Sequence, residues 1–350
     1  MRILVATDAW HPQVNGVVRT LAMMAEAARA LGAEVSFLTP QSFRTLPLPS
    51  YPDLRLALPY RGKIARLIAD ARPDSIHIAT EGPIGVLVRR YCRKHELSFT
   101  TSFHTRFPEY ISARLPVPES WIWAALRRFH GPSQAVLAAT PALANELSAR
   151  GFRKVVLWPR GVDSGQFHPR AVDLGLPRPV FLCVGRVAVE KNLEAFLELD
   201  LPGTKLIVGD GPARAALERS YPEAVFVGAQ QGEDLAQAYA GADVFVFPSK
   251  TDTFGLVLLE ALASGLPVAA FPVTGPRDVI GNAPVGVLSE DLHAACIGAL
   301  EISPQACLEF AAHHTWEVSA RAFVENMTDI NDLEPRDDVQ FAAKPSQLVA

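Results

Sequence analysis

A chain of 350 residues, 49% of them hydrophobic, has the length for two domains with separate cores. No apolar run reaches the roughly 18–20 residues that span a bilayer, the first residues already read as a strand, and the four cysteines are scattered without a C-x-x-C pair. These features exclude a spanning helix, a signal peptide and a zinc ribbon from the expectation, leaving reduced thiols in a soluble enzyme. The net charge of −4 hides an asymmetry: residues 1–160 carry 21 Lys and Arg against 11 Asp and Glu, and residues 161–350 carry 12 against 26. An anionic partner, either a membrane surface or a nucleic acid, is therefore expected at the first half.

In chain order, the β-branched and aliphatic run Arg2–Thr7 predicts a strand, and Gly16–Leu31 predicts a helix stopped at Gly32. Strands follow at Glu34–Leu38, Asp74–Ile78, Phe99–Phe103, Ala135–Ala139 and Val155–Trp158, with helical segments between them. The rhythm restarts at Val180–Val184, Lys205–Val208, Ala224–Val227, Asp243–Phe247 and Val268–Phe271. Short apolar strands alternating with helices predict an α/β protein with two parallel sheets, each covered on both faces. The polar segment Arg160–Arg170 is the expected linker, giving domains at 1–165 and 166–315. Residues 316–332 are expected to form a helix crossing back to the first domain, and 333–350 a polar, disordered tail.

Ligands of open parallel sheets bind beyond the carboxyl ends of the strands. There the sequence places Asn15-Gly16 after the first strand, His104-Thr105-Arg106 after the strand ending at Phe103, and Gly185-Arg186 with Lys191 after Val184. Gly209-Asp210-Gly211 follows Val208, and Gly228 follows Val227. Glycines, basic side chains and one histidine at strand ends predict a nucleotide-phosphate cleft between the domains. Asn15-Gly16 is otherwise a common turn pair, and Arg186 with Lys191 could be an ordinary solvated pair. Gly209-Asp210-Gly211 begins like a dinucleotide fingerprint but has Arg214 where the third glycine belongs, which favours a close backbone approach.

The most informative stretch is Asp252-Thr253-Phe254-Gly255-Leu256, followed by an apolar segment holding Glu260. A helix starting near Phe254 would aim its unpaired N–H groups over the strand ends, where they bind phosphate. Asp252 and Glu260 beside an anion site fit a sugar joined to a nucleoside diphosphate, whose hydroxyls need acceptors while its phosphates need donors. In the first half, Trp121 and Trp123 one turn from Arg127 and Arg128 suit a helix in a headgroup layer, and Arg61, Lys63, Arg66 and Arg72 form a second basic stretch. The competing reading makes the two tryptophans core residues.

With those residues in view, the chain resembles the retaining glycosyltransferases of family 4, over Arg2 to about Met327. Asp8–Val17, Thr80–Gly85 and Ser102–Tyr110 are similar to the branch that glycosylates diacylglycerol, sulfolipid synthases among them. The resemblance implies the GT-B fold: two Rossmann-like domains whose parallel sheets face each other across a cleft. It implies that Gly16 offers its N–H to the donor phosphate and that Arg186 and Lys191 hold the diphosphate as it leaves. Glu260 would accept from the ribose, Asp252 from the transferred sugar, and the N–H groups of Phe254, Gly255 and Leu256 would complete the cradle. His104 would sit near the anomeric centre; Gly185 and Gly211 would lie at the ligand edge, with Val227 and Gly228 flanking the base. Asp252 stands where the family usually has Glu, withdrawing the carboxylate by about one bond length, on the order of 1.5 Å.

The implied activity is transfer of a hexose such as glucose or glucuronate from a UDP-sugar to a membrane lipid such as diacylglycerol, without cofactor or metal. It would take place on an anionic membrane surface, peripheral to the inner face of the cell membrane in the cytoplasm. A GDP-mannose-dependent mannosyltransferase acting on a lipid or polysaccharide is the alternative. A catalytically silent nucleotide-sugar binder would have lost His104 or the carboxylate pair. No nucleic-acid partner is expected, since the basic half carries no recognised motif.

Overall fold

Two six-stranded sheets, every neighbouring pair parallel, organise the chain. The structure, a computed structural model, describes residues 1–13, 15–48, 51–104, 117–250 and 254–327, with the backbone alone at 48 and 51–54. The first eight strands are β1 Arg2–Ala6, β2 Glu34–Leu38, β3 Thr45–Leu48, β4 Tyr51–Ala57, β5 Ser75–Ile78, β6 Thr100–Phe103, β7 Val136–Ala138 and β8 Val155–Leu157. The first sheet runs β2-β1-β5-β6-β7-β8, and β3 with β4 forms a separate antiparallel pair. The second sheet is built from β9 Val180–Val184, β10 Thr204–Val208, β11 Val225–Gly228, β12 Val244–Phe247, β13 Val268–Ala270 and β14 Gly286–Leu288, in the order β11-β10-β9-β12-β13-β14.

The strands are apolar because helices cover both faces. Ile3 to Ala6 and Val244 to Phe247 are buried at every position, as a parallel sheet requires. Helix Gly16–Ala30 buries the stripe Val18, Leu21, Met24, Ala25 and Ala28. Helix Leu256–Ala263 buries Leu258 to Ala263 without interruption, which explains its lack of a polar face.

The passage between domains is not a free tether. Within Arg160–Arg170, Arg160, Val162 and Phe167 are buried, and Val162 forms a parallel bridge with Thr315. A Cβ on Gly161 would lie 2.5 Å from the Thr315 carbonyl carbon, so only glycine lets the two crossings touch. Beyond Thr315, helix Trp316–Glu325 packs on the first domain: Phe323 joins the core of Leu21 and Met24, and Trp158 Nε1 donates to Ser319 Oγ at 3.1 Å.

Among the described residues no helix is long and apolar enough to cross a membrane. The four cysteines are buried and without disulfides.

Candidate active site

The order of the second sheet reverses between β9 and β12, opening a crevice at their carboxyl ends. Gly185 and Arg186 leave β9 there, and Ser249 and Lys250 leave β12. The tight turn Val189–Lys191 ends at Asn192 in a left-handed conformation (φ 53°), whose Nδ2 donates to Pro248 O at 3.0 Å. That bond pins the Lys191 turn to the end of β12, so Arg186, Lys191 and Lys250 all spring from the rim of one crevice. Arg186 is half-exposed and lies 3.8 Å from Glu190 in a loose ion pair. Lys250 lies with Nζ 4.4 Å from the centre of the Phe271 ring.

Gly209 and Gly211 are demanded by the protein itself. A Cβ would sit 1.8 Å from Gly185 O at the first and 2.3 Å from Val187 O at the second. The two glycines let the ends of β9 and β10 close together at the crevice, in keeping with the close backbone approach. Val227 is 42% exposed at the outer end of β11. Gly228 faces Arg214, which Glu218 and Asp210 hold at 2.8 and 3.3 Å.

Helix Leu256–Ala263 begins two residues later than the sequence predicts. Gly255 (φ 81°) is its N-cap and offers no side chain, so the first-turn N–H groups are left to other partners. Phe254 packs against the domain core. Across the cleft, the N-cap of Gly16–Ala30 is Asn15, whose Oδ1 accepts from Val17 and Val18 at 3.1 and 3.0 Å; Gly16 N–H is not among those it caps. A Cβ on Gly16 would lie 3.9 Å from Leu256 Cδ1. Two helix N-termini, one from each domain, thus face each other beside the crevice, and both favour negative charge.

Glu260 lies inside this junction, 3% exposed. Tyr239, fully buried in helix Gly232–Ala240, donates its hydroxyl to Glu260 Oε2 at 2.9 Å. Arg19, one turn into Gly16–Ala30 from the other domain, places Nη1 2.5 Å from Glu260 Oε1. Burial raises the Glu260 carboxyl above its ordinary value, while Arg19 and Tyr239 pull it back. The Tyr239 hydroxyl is pushed up by burial and by Glu260.

In the first domain the switch point lies between β1 and β5, and a carboxylate of the protein already fills it. Asp8 Oδ1 and Oδ2 accept from Ile84 and Gly85 N–H, 2.8 and 3.2 Å away, capping helix Pro83–Lys94. Burial raises the Asp8 carboxyl, and those N–H bonds oppose it. This helix end is therefore closed to a ligand phosphate, which leaves the Gly16 helix end and the crevice of the second domain.

His104 follows β6 and sits beside Arg160, which is 5% exposed and follows β8. Arg160 Nη1 donates to Trp158 O at 2.9 Å, Nη2 lies 3.3 Å from His104 Nδ1, and the guanidinium stacks 4.2 Å over the Trp158 ring. A donating Arg160 makes Nδ1 the acceptor and puts the His104 proton on Nε2. Burial, then the Arg160 charge and the neighbouring His77, hold His104 well below its ordinary value, so it is neutral. Burial also pulls Arg160 down to about 9, still a cation at neutral pH.

The structure brings Gly16, Leu256 and Glu260 to one interdomain junction and sets Gly185, Arg186 and the Lys191 turn on the rim of the β9–β12 crevice. Asp252, with Thr105 and Arg106, lies outside the described residues. Sequence reasoning missed Arg19, Tyr239, Arg160 and Asp8. Arg19, three residues after Gly16, and Arg160, two after Trp158, had positional signals; Tyr239 had none. The tryptophan pair divides: Trp123 is buried, bonded through Nε1 to Glu119 at 2.8 Å, while Trp121 is 70% exposed. Among the described residues no group of three or more His, Cys, Asp or Glu is placed to hold a metal ion.

The sequence and the fold both have known relatives. The profile described as Glycosyltransferase Family 4 matches residues 14–166, and that of Glycosyl transferases group 1 matches residues 178–301. A GDP-mannose-dependent alpha-mannosyltransferase of Mycobacterium tuberculosis is 32% identical over 82% of this chain and 83% of its own length. The sulfoquinovosyl transferase of Arabidopsis thaliana is 34% identical over 72% of this chain and 56% of that protein. An alpha-monoglucosyldiacylglycerol synthase of Streptococcus pneumoniae is 26% identical over 92% of this chain and 83% of that protein. Among solved structures, sucrose-phosphate synthase from Thermosynechococcus elongatus superimposes with a TM-score of 0.76 at 20% identity, covering 93% of this chain and 97% of that one.

Proposed function

This chain belongs to the family 4 glycosyltransferases of the GT-B fold, and from that premise we propose that it moves a hexose from a UDP-sugar to diacylglycerol or a related membrane lipid, with retention at the anomeric carbon. The observation that carries the reading is the junction of the Gly16 and Leu256 helix ends above the Arg186 and Lys191 crevice. A diphosphate there meets two dipole ends and two cations, which stabilise it as it departs. Glu260 accepts the ribose hydroxyls. It is a poor nucleophile, because it is buried and each oxygen already holds a donor.

Retention without a carboxylate nucleophile calls for a front-face substitution through an oxocarbenium-like state. The bond from the anomeric carbon to the β-phosphate oxygen breaks, the acceptor oxygen bonds to the same face, and the phosphate takes the acceptor's proton. Neutral His104, oriented by Arg160, is suited to hydrogen-bond the sugar without adding charge. Catalysis is then positioning and leaving-group stabilisation.

For the acceptor, the support is the name of the pneumococcal relative and a surface of this chain. On helix Glu119–His130, exposed Trp121 shares the solvent side with Arg127 and Arg128. An amphipathic ring beside two cations fits an anionic headgroup layer at the cytoplasmic face of the cell membrane.

The mycobacterial relative favours a second reading, in which GDP-mannose is the donor. Purified protein, diacylglycerol vesicles and a panel of UDP- and GDP-sugars, assayed with EDTA present, separate the two. One glycolipid from one UDP-sugar is expected; product from GDP-mannose alone selects the second reading, and donor hydrolysis without glycolipid overturns the lipid acceptor. Changing Arg127 and Arg128 together to Ala should weaken binding to anionic vesicles, more at low salt than at high. Binding indifferent to charge and salt would remove the interfacial role.

A further inference from the structure

We propose that Arg19 is a positioning residue for the donor: from the first domain it holds Glu260 of the second as an oriented carboxylate, so that the ribose site is complete only when the domains are closed. The proposal rests on the reading of Glu260 as the ribose acceptor and adds a cause for its competence.

An ionised carboxylate offers about four lone-pair positions, two on each oxygen. Arg19 occupies one on Oε1, at 2.5 Å, and the Tyr239 hydroxyl one on Oε2, at 2.9 Å. One acceptor position remains on each oxygen, which matches the paired 2′- and 3′-hydroxyls of a ribose. Arg19 therefore need not leave when the nucleotide arrives.

Without Arg19 the arrangement fails for an electrostatic reason. Glu260 is 3% exposed, and burial disfavours its charged form. The titratable groups that face it are Arg19, Tyr239 and, behind Tyr239, the Cys183 thiol. Arg19 supplies the only positive charge among these. A protonated Glu260 would give up one acceptor position to its own proton and would donate where the ribose also donates.

The geometry ties this to closure. Arg19 lies on Gly16–Ala30, while Glu260 and Tyr239 belong to the second domain. Arg19 is only partly buried and is steadied by its guanidinium 5.4 Å from the centre of the Phe167 ring, at the domain crossing. Separating the domains withdraws the cation and leaves the carboxylate behind. Nucleotide binding and closure then favour one another.

The test is calorimetric binding of UDP and of 2′,3′-dideoxy-UDP (GDP and its dideoxy form if the donor proves to be a GDP-sugar) from pH 5.5 to 8.5. It is run on wild type, Arg19→Lys and Arg19→Gln, the last chosen because it removes the charge while keeping a polar side chain and helix propensity. Wild type should prefer the ribonucleotide, and Arg19→Gln should lose roughly 10- to 100-fold in ribonucleotide affinity at pH 7, the scale of hydrogen bonds to a charged group. The loss should shrink as pH rises, because the acid limb of binding moves upward when Glu260 loses its cation. Arg19→Lys should restore much of the affinity and return the acid limb toward wild type. The dideoxy nucleotide should be nearly indifferent to all three.

A wild type with no ribose preference would overturn the ribose role of Glu260, and the proposal with it. A ribose preference that survives in Arg19→Gln with an unshifted acid limb would overturn the proposal alone. Equal losses for both nucleotides would also sink it, by showing that Arg19 acts on the fold and not on the ribose.

Discussion

Glu260 illustrates how a functional side chain can also be a structural one. Its removal takes the acceptor away from the Tyr239 hydroxyl, which is fully buried. A buried unpaired hydroxyl costs about 1–3 kcal/mol. Urea unfolding of Glu260→Ala should therefore show a loss that the second change Tyr239→Phe gives back by about that amount. A double variant no more stable than the single one would mean that the Tyr239 bond is not what the substitution breaks. Turnover should fall roughly 100-fold or more in both, the scale of two hydrogen bonds to a charged acceptor. Arg186, Lys191 and Gly16 are legible in the sequence because each follows a strand end or opens a helix. Arg19 is legible only by its position after Gly16, since its partner lies in the other domain, and Tyr239 is not legible at all, because its role arises from a hydrogen bond between two separate helices.

At the scale of elements, the central strands of the first sheet carry an acid-sensitive residue. His77 of β5 is fully buried, with Nδ1 2.8 Å from Thr100 Oγ1 and Nε2 3.1 Å from Ser102 Oγ on β6. Burial, with the charges of Arg160 and His130, pulls its pKa down to about 3. The unfolded chain protonates this histidine near its ordinary value of about 6.5 while the folded chain does not, so the unfolded state binds more protons in that window. The stability it contributes is present above about pH 6.5 and is lost as pH falls toward 3. Denaturant midpoints between about pH 7.5 and 4 should fall less steeply for His77→Gln than for wild type; parallel curves would assign the acid loss to other groups.

The alternation of apolar strands and helices makes both parallel sheets legible in the sequence. The β3–β4 pair escapes that reading because Pro47 and Pro52 lie inside it, and proline argues against a strand unless it sits at an edge. β14 escapes because it opens on Gly286 and carries only two apolar residues, a weak strand signal. The late start of Leu256–Ala263 reflects Gly255, whose left-handed backbone sequence periodicity does not reveal.

At the scale of the whole molecule, polar contacts between described residues join the two domains. One is Arg19 with Glu260; another is the Thr140 hydroxyl, which donates to Asp278 Oδ2 at 2.5 Å. Thr140 also caps helix Pro141–Ala149, accepting from Leu143 N–H at 3.2 Å, so a change at Asp278 spares that cap. Asp278→Ala should bias the ligand-free protein toward open forms by about 1 kcal/mol, the net value of one hydrogen bond. Small-angle scattering should register a larger radius of gyration; an unchanged curve would mean that this contact does not restrain the domains.

The bridge between Val162 and Thr315 has a consequence for the chain as a connected object. The second domain enters and leaves through neighbouring points, and Trp316–Glu325 completes the first domain's core. By topology the second domain is an insertion within the first. A nick in either crossing would leave both parts joined through the other. Because the crossings are paired, bending along the pair keeps their bridge intact, whereas twisting one against the other would shear it. The path between open and closed is thereby narrowed toward a single axis, with or without substrate in the cleft.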